Sequence, residues 1–136
     1  MLSCYKDDSS FDSQTIEKNT LVFNGVESEV ISLVNIHRES LGLNKVFVLT
    51  PAYSEANGHT KYMIEQGKTS HDNFEIRSRN LMTTVSAKLI LENVAAGYAT
   101  ADNAMKAWLG SELHRKNIEN PIVQYMGQAM KWSVIK

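Results

Sequence analysis

At 136 residues the chain has room for one compact domain with a single core and is short for two. Fourteen basic residues against fifteen acidic ones leave a net charge of −1, which supplies no field for holding DNA or RNA. With 43% hydrophobic and 21% charged residues the composition is that of an ordinary globular domain, and no apolar run of about eighteen residues exists to span a bilayer.

The chain opens Met1-Leu2-Ser3-Cys4-Tyr5-Lys6-Asp7-Asp8, and Cys4 is its single cysteine. It therefore makes no internal disulfide and has no cysteine partner for a zinc knuckle. A small residue before cysteine resembles the end of a bacterial lipoprotein signal, whose cleavage would leave Cys4 as an acylated first residue. The Lys-Asp-Asp that follows is similar to export tags on surface lipoproteins of some Gram-negative bacteria. Because no basic and apolar signal segments precede Cys4, the competing reading is an incidental tail thiol. Residues 1–20 are rich in Ser, Asp, Thr and Asn, which reads as a flexible lipoprotein-type tether, with the folded domain over 21–136.

Along the domain, Val30, Leu33, Val34 and Leu41 follow helical spacing over 27–41, and Gly42 supplies a stop. His37 falls in that stripe and reads as a core or boundary histidine. Thr50-Pro51 marks a second helix start running to about Gln66, with Ala52, Ala56, His59 and Met63 facing inward and Gly67 as the C-terminal turn. A polar loop over 69–74 follows, and Asp72 is a candidate cap for a short helix to about Leu81. Residues 86–95 carry Leu89, Ile90, Leu91 and Val94 and read as a strand. Thr100 and Asp102 open another helix whose packed stripe is Ala104, Met105, Trp108 and Leu109. Gly110 and Ser111 break it before a turn at 112–115, and 125–135 reads as a strand. Helices and strands interleave, with too few strands for a doubly wound sheet, so a small layered α/β fold is expected.

The sequence holds no HExxH pair, no Cys-x-x-Cys pair, no phosphate-binding glycine loop, no dinucleotide fingerprint and no GxSxG elbow. What stands out are His71, Glu92, Glu112 and His114, set in segments that interrupt regular structure. Two imidazoles and a carboxylate can hold zinc with an open position, and a histidine–carboxylate pair can move protons. Both uses require convergence in space, which sequence spacing alone leaves open.

Several phrases occur in the order found in the bacterial secreted branch of the CAP superfamily (cysteine-rich secretory, antigen 5 and pathogenesis-related proteins). Ile31-Ser32-Leu33-Val34-Asn35-Ile36-His37-Arg38 with Leu41-Gly42-Leu43 resembles its opening helix. Ser70-His71-Asp72-Asn73-Phe74 resembles its Ser-His loop, and Glu92-Asn93-Val94-Ala95 its Glu-Asn signature. Trp108-Leu109, Ser111, His114-Arg115 and Asn117-Ile118 fall at the spacing of its Trp-Leu-x-Ser-Pro-x-His-Arg-x-Asn-Ile motif. Leu91 stands where a glycine usually precedes Glu-Asn, and Glu112-Leu113 replaces the usual Pro-Gly.

This resemblance implies a three-layer α-β-α sandwich with a small, mainly antiparallel sheet, lacking the last strand with which relatives usually continue. It implies a groove formed by His71, Glu92 and His114, with His71 and His114 as candidate ligands for zinc or another divalent cation. Glu112 is either a second carboxylate or a solvent-facing acid. The expected function is an extracytoplasmic binding module, secreted or envelope-anchored, for an unidentified lipid, glycan or protein ligand, with no nucleic-acid partner and membrane attachment only through Cys4. The alternatives are a zinc hydrolase in which Glu92 activates water and a structural domain with no active groove.

Overall fold

The computed structural model describes residues 1–6 and 25–129. Elements follow in the order β1 (Leu2–Lys6), α1 (Gly25–Ser40), β2 (Phe47–Val48), α2 (Thr50–Gln66), α3 (Phe74–Val85), β3 (Ala87–Glu92), α4 (Ala101–Gly110), α5 (Glu112–Ile118) and β4 (Tyr125–Gly127). The four strands form one sheet in the order β2-β4-β1-β3. β1 runs antiparallel to both neighbours, and the short β2 lies parallel to β4.

Side chains alternate across the sheet and divide the core in two. On one face Met1 and Met126 meet Val30 and Val34 of α1, Ala101, Met105 and Trp108 of α4, and Ile118 of α5. On the other, Leu2, Cys4, Ala87 and Ile90 meet Ala52 and Ala56 of α2 and Leu81 of α3. The result is the expected α-β-α sandwich. Burying Val30 and Val34 to 1% exposure each contributes about 1.5–3 kcal/mol, which is what fixes the solvent-facing side of α1.

Local chemistry sets the boundaries. Gly42 and Gly67 take left-handed φ values of 73° and 66° after α1 and α2, as glycine permits without a Cβ penalty. The Thr100 hydroxyl accepts from Asn103 N at 3.2 Å and caps α4. Three expectations differ. Asn73, not Asp72, sits at the start of α3, in a left-handed conformation that asparagine tolerates. The helix predicted to end at Leu81 continues to Val85, and the turn expected at 112–115 is the helix α5.

The largest correction concerns the N-terminus. The tether expected over 1–20 begins instead with a strand: Met1 to Cys4 are buried and β1 occupies the interior of the sheet. Leu2 lies opposite Glu92 on one side and Gly127 on the other, so β1 separates β3 from β4. Among the described residues neither β3 nor β4 lacks a neighbour on that side. Cys4, the candidate lipidation site, is 0% exposed and packs in the α2/α3-side core, so in this fold its side chain is a core hydrophobe. The rest of the expected tether, and 130–135 of the expected last strand, fall outside the described residues.

Candidate functional site

The site is built where the start of α3, the end of β3 and the side of α2 meet. Glu92 is the last residue of β3, and its side chain is 5% exposed. A buried carboxylate requires compensation, and Arg77, one turn into α3, supplies it. Arg77 Nε donates to Glu92 Oε2 at 2.8 Å and Nη2 to Oε1 at 2.7 Å, a two-pronged fork between side chains that are 6% and 5% exposed. The third nitrogen, Nη1, donates to the Asp72 carbonyl at 2.6 Å, and the guanidinium carbon stands 5.9 Å from the centre of the Phe74 ring.

His71 joins the same carboxylate: its Nδ1 lies 2.9 Å from Glu92 Oε1. An ionised carboxylate only accepts, so Nδ1 carries the proton of this hydrogen bond. The side chain is 52% exposed. His59 reaches in from α2, buried, with Nε2 at 2.7 Å from the Ser70 carbonyl and 3.9 Å from Glu92 Oε1. A carbonyl also only accepts, so His59 Nε2 is a donor, and this bond ties the 69–72 loop to α2. Tyr62 stacks on His59 at 5.8 Å and donates its hydroxyl to Asp72 at 3.0 Å. Burial alone would raise the Glu92 carboxyl, but the hydrogen bonds from Arg77 and His71, with the Arg77 and His59 charges, hold it below the usual range.

His114 lies on the half-buried side of α5. Its backbone carbonyl accepts from Asn93 Nδ2 at 3.0 Å, and Asn93 Oδ1 accepts from Asn117 at 2.9 Å, so the Glu-Asn phrase and the His-Arg helix are stitched together by two asparagines. Burial, and then the neighbouring His71, lower the His114 pKa. His71, Glu92 and His114 thus share one region, with His71 on the carboxylate and His114 held beside it through its backbone. Glu112 does not join them. It is exposed and pairs with Lys116 at 2.7 Å. His37 is half-buried and meets Glu119 at 2.9 Å, as a boundary histidine should.

A cavity of about 390 Å³ adjoins this cluster, a size typical of small-molecule sites. Val30, Ala56, Met63, Ile64, Val94 and Trp108 supply much of its wall, and His59 and Glu92 also line it, whereas His71 and His114 do not. Trp108 Nε1 donates to the Val94 carbonyl at 3.2 Å, which turns the ring's apolar body toward this space with its polar edge satisfied.

A model of the CAP (cysteine-rich secretory protein) family matches residues 31–132. The chain belongs to the CAP family. Among relatives of this CAP domain, YkwD of Bacillus subtilis (strain 168) is 31% identical over 104 residues, covering 74% of this chain and 40% of YkwD. The membrane protein YlbC of the same organism is 30% identical over 104 residues, covering 74% of this chain and 30% of YlbC. The chain therefore spans well under half the length of these relatives. An extracellular SCP-domain protein of Bacillus anthracis superposes with a TM-score of 0.70 at 31% identity, over 76% of this chain and 36% of that one. An outer surface protein of Borrelia burgdorferi shares the fold, with a TM-score of 0.67 at 20% identity over 78% of this chain and 81% of that one.

The donor set does not match the expected divalent cation. Among the described residues no group of three or more His, Cys, Asp or Glu side chains is arranged to hold a metal ion. Glu92 Oε1 already accepts from Arg77 and His71, and Oε2 from Arg77. His59 Nε2 and His71 Nδ1 both carry protons. Among the described residues no third His, Cys, Asp or Glu side chain converges with Glu92 and His71 to hold a metal, and Arg77 already engages both carboxylate oxygens, so the residues do not fit a zinc site in this arrangement. Arg77, the residue that decides this, was not anticipated from sequence. Its one sign there is its position between Phe74 and Leu81 on the inward side of α3.

Proposed function

We propose that this CAP domain is a groove-type binding module that works outside the cytoplasm and takes the apolar part of a small ligand in the cavity beside Glu92. The cavity carries the reading: apolar side chains from three helices and the β3–α4 connection line it, and a fixed ionic cluster forms one wall. Binding is favoured over hydrolysis because a carboxylate locked by Arg77 and held below its usual pKa is a weak base, and Glu92 was the one residue suited to activating water. The extracellular and outer-surface proteins that resemble the domain support the location. His71 and His114, beside the cluster, are the polar groups suited to contacting whatever part of a ligand extends from the cavity.

The test is titration of the purified chain with the apolar dye 1-anilinonaphthalene-8-sulfonate and displacement of the dye by dodecanol. Thr60, which lines the cavity, is replaced by Trp to fill it. The unaltered chain should bind the dye and release it to dodecanol, and Thr60→Trp should lose at least about tenfold in affinity. Absence of dye binding by the native, folded chain, or equal binding by the filled variant, defeats the proposal.

A further inference from the structure

A carboxylate below the protein surface needs a cation, and a divalent metal held by His71 and His114 was expected beside it. The side chains around Glu92 meet the need from within. The Arg77 fork occupies both carboxylate oxygens at 2.8 and 2.7 Å, and its remaining nitrogen is held by the Asp72 carbonyl at 2.6 Å. We propose that Arg77 is the resident cation of this site: its guanidinium fills the place beside Glu92 that a metal ion would need, and the cluster acquires metal affinity only when Arg77 is removed. The proposal is independent of what the cavity binds.

Charge and lone pairs point the same way. Arg77 and Glu92 together are neutral, and the other titratable groups that act on Glu92 are His59, His71 and the buried N-terminal amine of Met1, which become cationic or stay neutral but never anionic. The nearby carboxylate of Asp72 points to solvent and accepts the Tyr62 hydroxyl. A divalent ion entering here would meet an arginine and no uncompensated anion. Removing the guanidinium reverses each of these conditions. Glu92 is then a buried, uncompensated anion, space opens at its two oxygens, and the imidazoles of His59 and His71 stand at 3.9 and 2.9 Å from Oε1. Once His71 Nδ1 or His59 Nε2 gives up its proton, carboxylate and imidazole form a partial zinc shell completed by water.

The experiment uses the whole chain and zinc chloride alone. Thermal melts in EDTA and in zinc, with calorimetric titration of zinc, are compared for the unaltered protein, Arg77→Met, Arg77→Lys and the Arg77→Met/Glu92→Gln pair. Methionine keeps an unbranched side chain of similar reach and removes the charge. The unaltered chain should melt alike in EDTA and zinc. Arg77→Met should melt lower in EDTA, recover much of the loss in zinc, and bind zinc at least about tenfold more tightly than the unaltered chain. Arg77→Lys, which keeps the charge without the fork, should stay indifferent to zinc, and the double variant should lose the gain. Zinc binding by the unaltered chain as tight as by Arg77→Met overturns the proposal. So does an Arg77→Met protein that folds and ignores zinc, one that misfolds and is not restored by zinc, or a gain that survives Glu92→Gln.

Discussion

Glu92→Gln isolates the charge of the central carboxylate, because the amide keeps its shape. With its oxygen at the Oε1 position the amide still accepts from Arg77 Nη2 and His71 Nδ1 but sets its NH₂ group against Arg77 Nε–H; turned over, it keeps only the Nε bond. The substitution leaves a guanidinium that is 6% exposed without an anion. Breaking one side of a buried pair costs about 3–5 kcal/mol, and the hydrogen bonds that the amide oxygen retains place this case near about 3 kcal/mol. For a domain of this size that corresponds to roughly 10 °C in melting temperature. His71→Ala removes a contact to the same carboxylate from a side chain that is 52% exposed and should cost less than about 1 kcal/mol. Urea unfolding followed by circular dichroism at pH 7 gives both values. A loss below about 1 kcal/mol for Glu92→Gln, or equal losses for the two variants, would refute the view that the buried fork holds this corner together.

Acidification should destabilise the domain in two stages. Burial lowers the Met1 amine to about 5 and the His114 pKa is lowered as well, so the unfolded chain takes up these protons first and stability falls as pH drops below 8 for the amine and below 6.5 for His114. The Glu92 pKa is also lowered, so its contribution is complete above 4.5 and is lost as pH falls through the depressed folded value. Urea midpoints between pH 8 and pH 3 check both signs, and a rise in stability between pH 7 and pH 5 contradicts the first. Gly127→Ala probes the contact between β4 and α2: a Cβ there would meet the backbone of Ala52 and Tyr53. Backbone cannot yield as a flexible side chain does, so the cost should be about 3 kcal/mol or more, and an unchanged urea midpoint would mean that strand and helix pack less closely than described.

The helices were legible where period and cap agreed. α1, α2 and α4 each carry an apolar stripe and a terminal signal, and the Thr100 cap is where the sequence places it. β1 was not legible, because five residues with Ser3, Tyr5 and Lys6 among them have no apolar pattern long enough to outweigh the polar stretch after them. Its strand character comes from the two neighbours that pair with it. The site divides similarly. His71, Glu92 and His114 emerged from the order of family phrases, and their grouping rests on contacts that spacing cannot encode. Arg77 was missed because a charged residue in a helix ordinarily faces water, and only the carboxylate arriving from β3 makes its burial favourable. Asn93 and Asn117 were visible in the phrases, but as letters of a motif rather than as the hydrogen bonds that hold α5 to β3.

The placement of β1 also constrains how the domain comes together. This strand precedes the other described elements in the chain, yet Leu2 pairs with Glu92 and Gly127, far along it. Until β3 and β4 have been synthesised, Leu2 and Cys4 have no sheet to enter and stay exposed to whatever else is nearby. Contacts of such sequence separation carry a large loop-closure cost and slow folding relative to local helix pairing. The helices can form early, but the centre of the sheet closes late, when the first strand of the chain is threaded between two of its last.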